Sequence, residues 1–234
     1  RASGYSYHQG METYPRRRLR SLISLLVLAA ASAMTDTRAS DFSIFGRHAI
    51  DAAPESLAGF EGAEVRVLRR DPRGLVAEVN LPIGVTVSTH YADYTTEIFV
   101  LDGQLRLEHD SRREMLAKHD YLHIPSVVGA ASLHATAASR LLVFFDPARS
   151  TDGNALSMVR TAASDWAAGM VSARDTGVAL KLQVRDLYQV PQSGQRTWLL
   201  RAGADLKLPW ERHRTIEEGY LVSGDYRLLE CLEG

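Results

Sequence analysis

The sequence predicts an all-β protein built on an antiparallel barrel, with part of the barrel pattern repeated in the last third of the chain. Three observations predict it. Short runs of alternating polar and apolar residues recur, each closed by a turn signal. One continuous apolar run, Leu141-Leu-Val-Phe-Phe145, fits a strand covered on both faces. A block of strand and turn signals from the first half also returns in the last third of the chain, which is an internal duplication.

Taken in order, Glu64 to Arg70 alternates, and Asp71-Pro-Arg-Gly74 turns it into a return strand over Leu75 to Leu81. Pro82-Ile-Gly84 turns again. Val85 and Val87 then alternate with Thr86 and Ser88 up to His90. After a polar loop, Glu97 leads the apolar run Ile98 to Leu101, and Asp102-Gly103 reads as a type I′ hairpin turn. Gln104 to Glu108 alternates, a charged loop spans His109 to Arg113, and a short run covers Glu114 to Ala117. His109 and His119 read as solvated, in or beside that charged loop. Alternation puts His123 on the strand face of Tyr121. No convincing helix pattern appears in this half; such short strands with frequent turns suit an antiparallel barrel.

Further on, Ser150 to Asn154 is a loop signal, and Ser164-Asp-Trp166-Ala-Ala168 reads as a short helical turn that packs Trp166 onto a barrel. Ala179 to Arg185 and Thr197 to Ala202 are strands, with a turn over Gln189 to Gly194. The segment Glu97-Ile-Phe-Val-Leu-Asp-Gly103-Gln-Leu-Arg-Leu is echoed by Glu217-Glu-Gly-Tyr-Leu-Val-Ser-Gly224-Asp-Tyr-Arg-Leu.

The stretch Gly84 to Gly103 resembles the first motif of the cupin superfamily: Gly, five residues, His-x-His, three or four residues, Glu, six residues, Gly. Gly84, His90, Glu97 and Gly103 fall on it in register, while Ala92 stands at the second histidine. Lys118 to Pro125 resembles the start of the second motif: Pro125 matches, but His119, Val127 and Ala130 replace its glycines and its histidine. Together with the duplication, this makes the chain similar to a bicupin. The resemblance implies two jelly-roll barrels: a first over 60–147 and a partial second over 177–234, joined by a linker over 148–176. It also implies a small-molecule ligand or substrate and pairing of two copies as a homodimer.

The cupin positions imply a divalent transition metal, iron, manganese or zinc. In the first barrel the ligands are His90 and Glu97, with His123, His134 and Tyr121 as pocket residues. A transition-metal site needs three or four protein ligands, so a hydrogen-bonded polar pair in an apolar pocket is the other reading. In the second barrel, Glu211-x-His213-x-x-x-Glu217 occupies the His-x-His-x-x-x-Glu positions. If Glu211 and His213 lie on a strand, both point to one face. These residues equally fit a surface ion-pair cluster, and both readings stand at this point. Two functions follow: a metal-binding enzyme of oxygenase or isomerase type, or a non-catalytic binding or sensor module with a degenerate metal site.

Composition narrows the field. The chain has 234 residues and a formal net charge of −1, which gives no case for nucleic acid. A single cysteine, Cys231, excludes an internal disulfide framework. Residues 1–10 precede Met11 and look unlike a folded element. From there, Arg16 to Arg20 is a basic region, Leu22 to Ala31 is apolar but short for a membrane span, and Ala31-Ser-Ala33 offers a small-x-small cleavage pattern. Residues 1–33 thus read as upstream residues and a secretory signal peptide cleaved after Ala33, with a secreted or periplasmic mature chain that keeps no membrane span. Residues 34–59 form an N-terminal arm.

Overall fold

The computed structural model describes the backbone of 23–30 and residues 55–89, 91, 93–149, 153–168, 182–190, 194–203, 206 and 216–225. Within these the chain is antiparallel β throughout, apart from one short 3₁₀ turn at Thr161–Ala163. The strands are β1 (Ile23–Ala30), β2 (Glu64–Asp71), β3 (Gly74–Leu81), β4 (Thr86–Ser88), β5 (Tyr94–Asp102), β6 (Gln104–His109), β7 (Arg112–Ala117) and β8 (Tyr121–Ile124). They continue with β9 (Ala131–Ala135), β10 (Ser139–Pro147), β11 (Ser157–Val159), β12 (Ala167–Ala168), β13 (Leu182–Val190), β14 (Gln195–Ala202) and β15 (Ile216–Ser223).

The first half is the expected barrel. Its six-stranded sheet runs β11-β8-β5-β10-β3-β2, and a four-stranded sheet, β4-β9-β6-β7, faces it. Between them lies an apolar core. Ile98, Val100, Leu122, Ile124, Leu141 and Val143 come from one sheet; Val87, Leu105, Leu107, Leu116 and Leu133 come from the other. Phe60 closes it against Phe145, ring edge to ring face at 6.0 Å.

Asp102-Gly103 is not a hairpin. β5 pairs with β8 and β10, whereas β6 pairs with β7 and β9, so the dipeptide is a corner where the chain passes from one sheet to the other. A type I′ turn needs positive φ at both residues. Only Gly103 has it (φ 90°), and a Cβ there would lie 2.4 Å from the Ala138 carbonyl oxygen and 2.4 Å from Ser139 Oγ. The charged loop is shorter than expected, because β6 and β7 pair through His109↔Arg112 and Asp110 takes the left-handed conformation.

The second half was expected as a partial barrel. Among the described residues it is one five-stranded sheet, β12-β13-β14-β1-β15. The apolar stretch read as a leader supplies its β1, paired to β14 on one side and β15 on the other. This sheet stacks on the outer face of the six-stranded sheet. Leu187 and Leu199 pack there against Val76, Phe99, Leu101, Leu142 and Phe144. The middle sheet is therefore buried on both faces, which explains the unbroken apolar run in β10. In place of the expected helical turn at 164–168, the 3₁₀ turn precedes it and Ala167-Ala168 pairs with β13; Trp166 does pack against the interlayer core.

Candidate functional site

β5 is buried on both sides, and its residues divide by alternation. Ile98 and Val100 enter the barrel core, while Glu97, Phe99 and Leu101 face the stacked sheet. The Glu97 carboxylate therefore lies between sheets rather than inside the barrel, fully buried. Its Oε2 accepts hydrogen bonds from the Tyr121 hydroxyl at 2.6 Å and from Thr197 Oγ1 at 2.8 Å. His123, on the adjacent β8 and directly opposite Glu97, brings Nδ1 to 3.8 Å from Glu97 Oε1. The His123 ring stacks on Tyr188 from the other layer, with centroids 3.6 Å apart and planes at 18°. Thus Glu97, Tyr121 and His123 come together as one cluster, and the shared face of Tyr121 and His123 is as expected.

A second carboxyl joins them. Asp146, at the end of β10, is buried, and its pKa is pushed up to about 7. Burial is the main cause and the Glu97 charge the next; Arg69 opposes them, Glu218 adds to them and Arg149 opposes. Among the described residues, neither Asp146 Oδ2 nor Glu97 Oε1 has a hydrogen-bond partner. Arg69 ties the layers together, binding Glu218 of β15 at 3.0 Å and Asp71 at 2.5 Å. Burial first, and then the Glu97 charge and hydrogen bond, hold the Tyr121 phenol well above its ordinary pKa, so it is a neutral donor.

The remaining expected residues lie elsewhere. His134 alternates with the buried Leu133 and Ala135, faces out of the four-stranded sheet, and bonds through Nδ1 to Thr86 Oγ1 at 2.9 Å. Glu217 is exposed, next to the half-buried Glu218 that reaches Arg69. His90, Glu211 and His213 lie outside the described residues. His119 is half-buried rather than fully solvated; it stacks on Phe99 at 5.8 Å, and burial, then Lys118, lower its pKa. His109 is half-buried, with Nδ1 3.5 Å from Asp110. The open depression at the barrel rim, lined by Glu64, Asn80, Pro82, Asp102, Ser139 and Arg140 among others, contains none of these side chains.

The described donors do not fit a divalent ion. A metal needs three or four ligands converging at about 2.0–2.3 Å. Glu97 and His123 offer two, and hydroxyl donors already engage Glu97 Oε2. Among the described residues no group of three His, Cys, Asp or Glu side chains converges so as to hold an ion. What the cluster does is tie the two layers together, through the Tyr121 and Thr197 hydrogen bonds to Glu97.

Sequence reading passed over Asp146, Thr197 and Tyr188. A carboxylate closing a fully apolar run was a visible signal for Asp146. Thr197 and Tyr188 carry none, because both sit in ordinary alternating strands.

No protein-family model matches the sequence, and no curated protein matches it. Solved structures do. KdgF from Halomonas sp. is 15% identical over 46% of this chain and 96% of its own, with a TM-score of 0.39. An RmlC-like cupin from Shewanella frigidimarina is 18% identical over 47% of this chain and 95% of its own, TM-score 0.38. A predicted oxalate decarboxylase from Thermotoga maritima is 16% identical over 42% of this chain and 94% of its own, TM-score 0.37. These are cupin-fold proteins. The likeness is one of fold and carries nothing about activity.

Proposed function

We propose that this chain is a cupin-fold binding module, not an enzyme working inside its barrel. One observation carries the reading. The first-barrel interior is filled by apolar side chains from both sheets, while Glu97 and His123 sit on the opposite face of their strands. A substrate must come within hydrogen-bond reach of the group that moves its proton, and the described cluster between the barrel sheets is apolar. Alanine at 92 and 130, where the cupin motifs carry histidine, agrees with a barrel that has given up metal chemistry.

Elemental analysis of the purified full chain, after incubation with iron, manganese or zinc and dialysis, tests this. The expected result is well below about one equivalent of metal. Close to one equivalent, lost on His213→Ala, would overturn the reading in favour of a metal centre in the second half. One equivalent lost on Glu97→Ala would overturn it at the first barrel.

Export belongs to the same proposal. Arg16 to Arg20, the apolar stretch and Ala31-Ser-Ala33 support a leader. The apolar stretch is also β1, and one molecule uses it for only one of these purposes. N-terminal sequencing of the protein recovered from cells decides: a start just after Ala33 supports export, and a retained β1 refutes the cleavage.

A further inference from the structure

Most arginines of the described chain have a carboxylate in reach: Arg66 and Arg140 share Glu78, Arg69 has Asp71 and Glu218, Arg160 has Glu114, and Arg196 has Asp186. Arg185 and Arg201 do not. They project from neighbouring strands β13 and β14, and their guanidinium carbons lie 4.4 and 4.1 Å from the centroid of the Trp166 ring. Arg185 donates one hydrogen bond, to the Ser164 carbonyl. The Nε–H groups of both arginines are buried without a hydrogen-bond partner among the described residues. Among the described residues no carboxylate lies within ion-pair distance of either.

Such an arrangement is costly on its own. Two like charges are gathered at the margin of an apolar interface, where burial and then Arg201 lower the pKa of Arg185, against the weaker pull of Asp165. Cation–π contact with one indole offsets part of that cost. It leaves one Nε–H of each arginine without an acceptor, as also at Arg66 and Arg140, and a guanidinium fork matches the two oxygens of a carboxylate or phosphate.

We infer that Arg185, Arg201 and Trp166 form a binding site for a small oxyanion carrying a carboxylate or phosphate group. The site goes beyond the closed-barrel reading and shares no residue with it, so the two fail independently. Its place at the interlayer margin lets an occupant strengthen the stacking of the five-stranded sheet on the barrel.

The test is isothermal titration of the full chain with inorganic phosphate and, separately, with benzoate, at ionic strength fixed with chloride. Saturable binding of either probe, weakened at least about tenfold by Arg201→Gln, supports the site, and the probe that binds tighter identifies the oxyanion; tenfold corresponds to about 1.4 kcal/mol. Arg201→Lys keeps the charge but loses the fork, and should fall between. No saturable heat with either probe overturns the proposal, as does equal affinity in Arg201→Gln. Should Arg201→Gln fail to fold, Arg201→Lys decides: unchanged affinity refutes two-fork recognition, and a severalfold loss supports it.

Discussion

Asp146→Asn isolates the buried acid between the layers. In the folded chain its pKa is pushed up from 3.8 to about 7. A carboxyl whose folded pKa is raised favours the native state when protonated, so its contribution is intact below about pH 4 and is lost as pH rises to about 7. One pKa unit corresponds to 1.36 kcal/mol, so the ionised group costs at most about 4 kcal/mol at pH 8. Asn cannot ionise and removes that cost. Urea denaturation of both proteins at pH 4.5, 6 and 8 measures it. The stability of Asp146→Asn relative to the parent should climb across this range, by a few kcal/mol in total and most steeply between pH 4.5 and pH 7. Comparing the two proteins cancels the carboxylates that do not sense Asp146; Glu97 and Glu218, which do, enter the measured difference. Parallel pH profiles would refute the reasoning, because they would mean that Asp146 ionises in water in the native state.

Two further substitutions probe the same architecture. Tyr121→Phe removes a 2.6 Å donor from a fully buried carboxylate and should cost about 1–3 kcal/mol in chemical denaturation; a loss below about 0.5 kcal/mol, the range of a neutral surface change, would mean that Glu97 finds another partner. Gly103→Ala puts a methyl group 2.4 Å from the Ala138 carbonyl at positive φ, and should lower stability by roughly 2 kcal/mol or more; an unchanged melting temperature would show that the corner relaxes freely.

The strands of the barrel were legible because alternation and turn residues are local signals. Leu75 to Leu81, Gln104 to Glu108 and Leu141 to Phe145 fall on β3, β6 and β10. Alternation also shows which residues share a face, as Tyr121 and His123 do. It does not show which face is the barrel interior when both are buried, and β5 and β8 are covered on both sides. Glu97 and His123 therefore read as pocket residues and prove to be interlayer ones. The same ambiguity hid the corner at Gly103, since Asp-Gly suits a hairpin and a change of sheet equally. Thr197 was out of reach for another reason: it meets Glu97 only because a distant sheet stacks there, and no local pattern encodes that.

The position of β1 bears on the order in which the chain folds. Every pairing in the first barrel joins strands between Glu64 and Val159, so the barrel can close while the ribosome still holds the remainder. The stacked sheet must wait for both ends, because Ile23 pairs with Ala202 and Ala30 with Ile216. An early-made apolar strand thus stays without a partner through most of synthesis, free to be taken by whatever meets it first. If translocation machinery takes it, β14 and β15 each gain an open edge, a ready template for another strand.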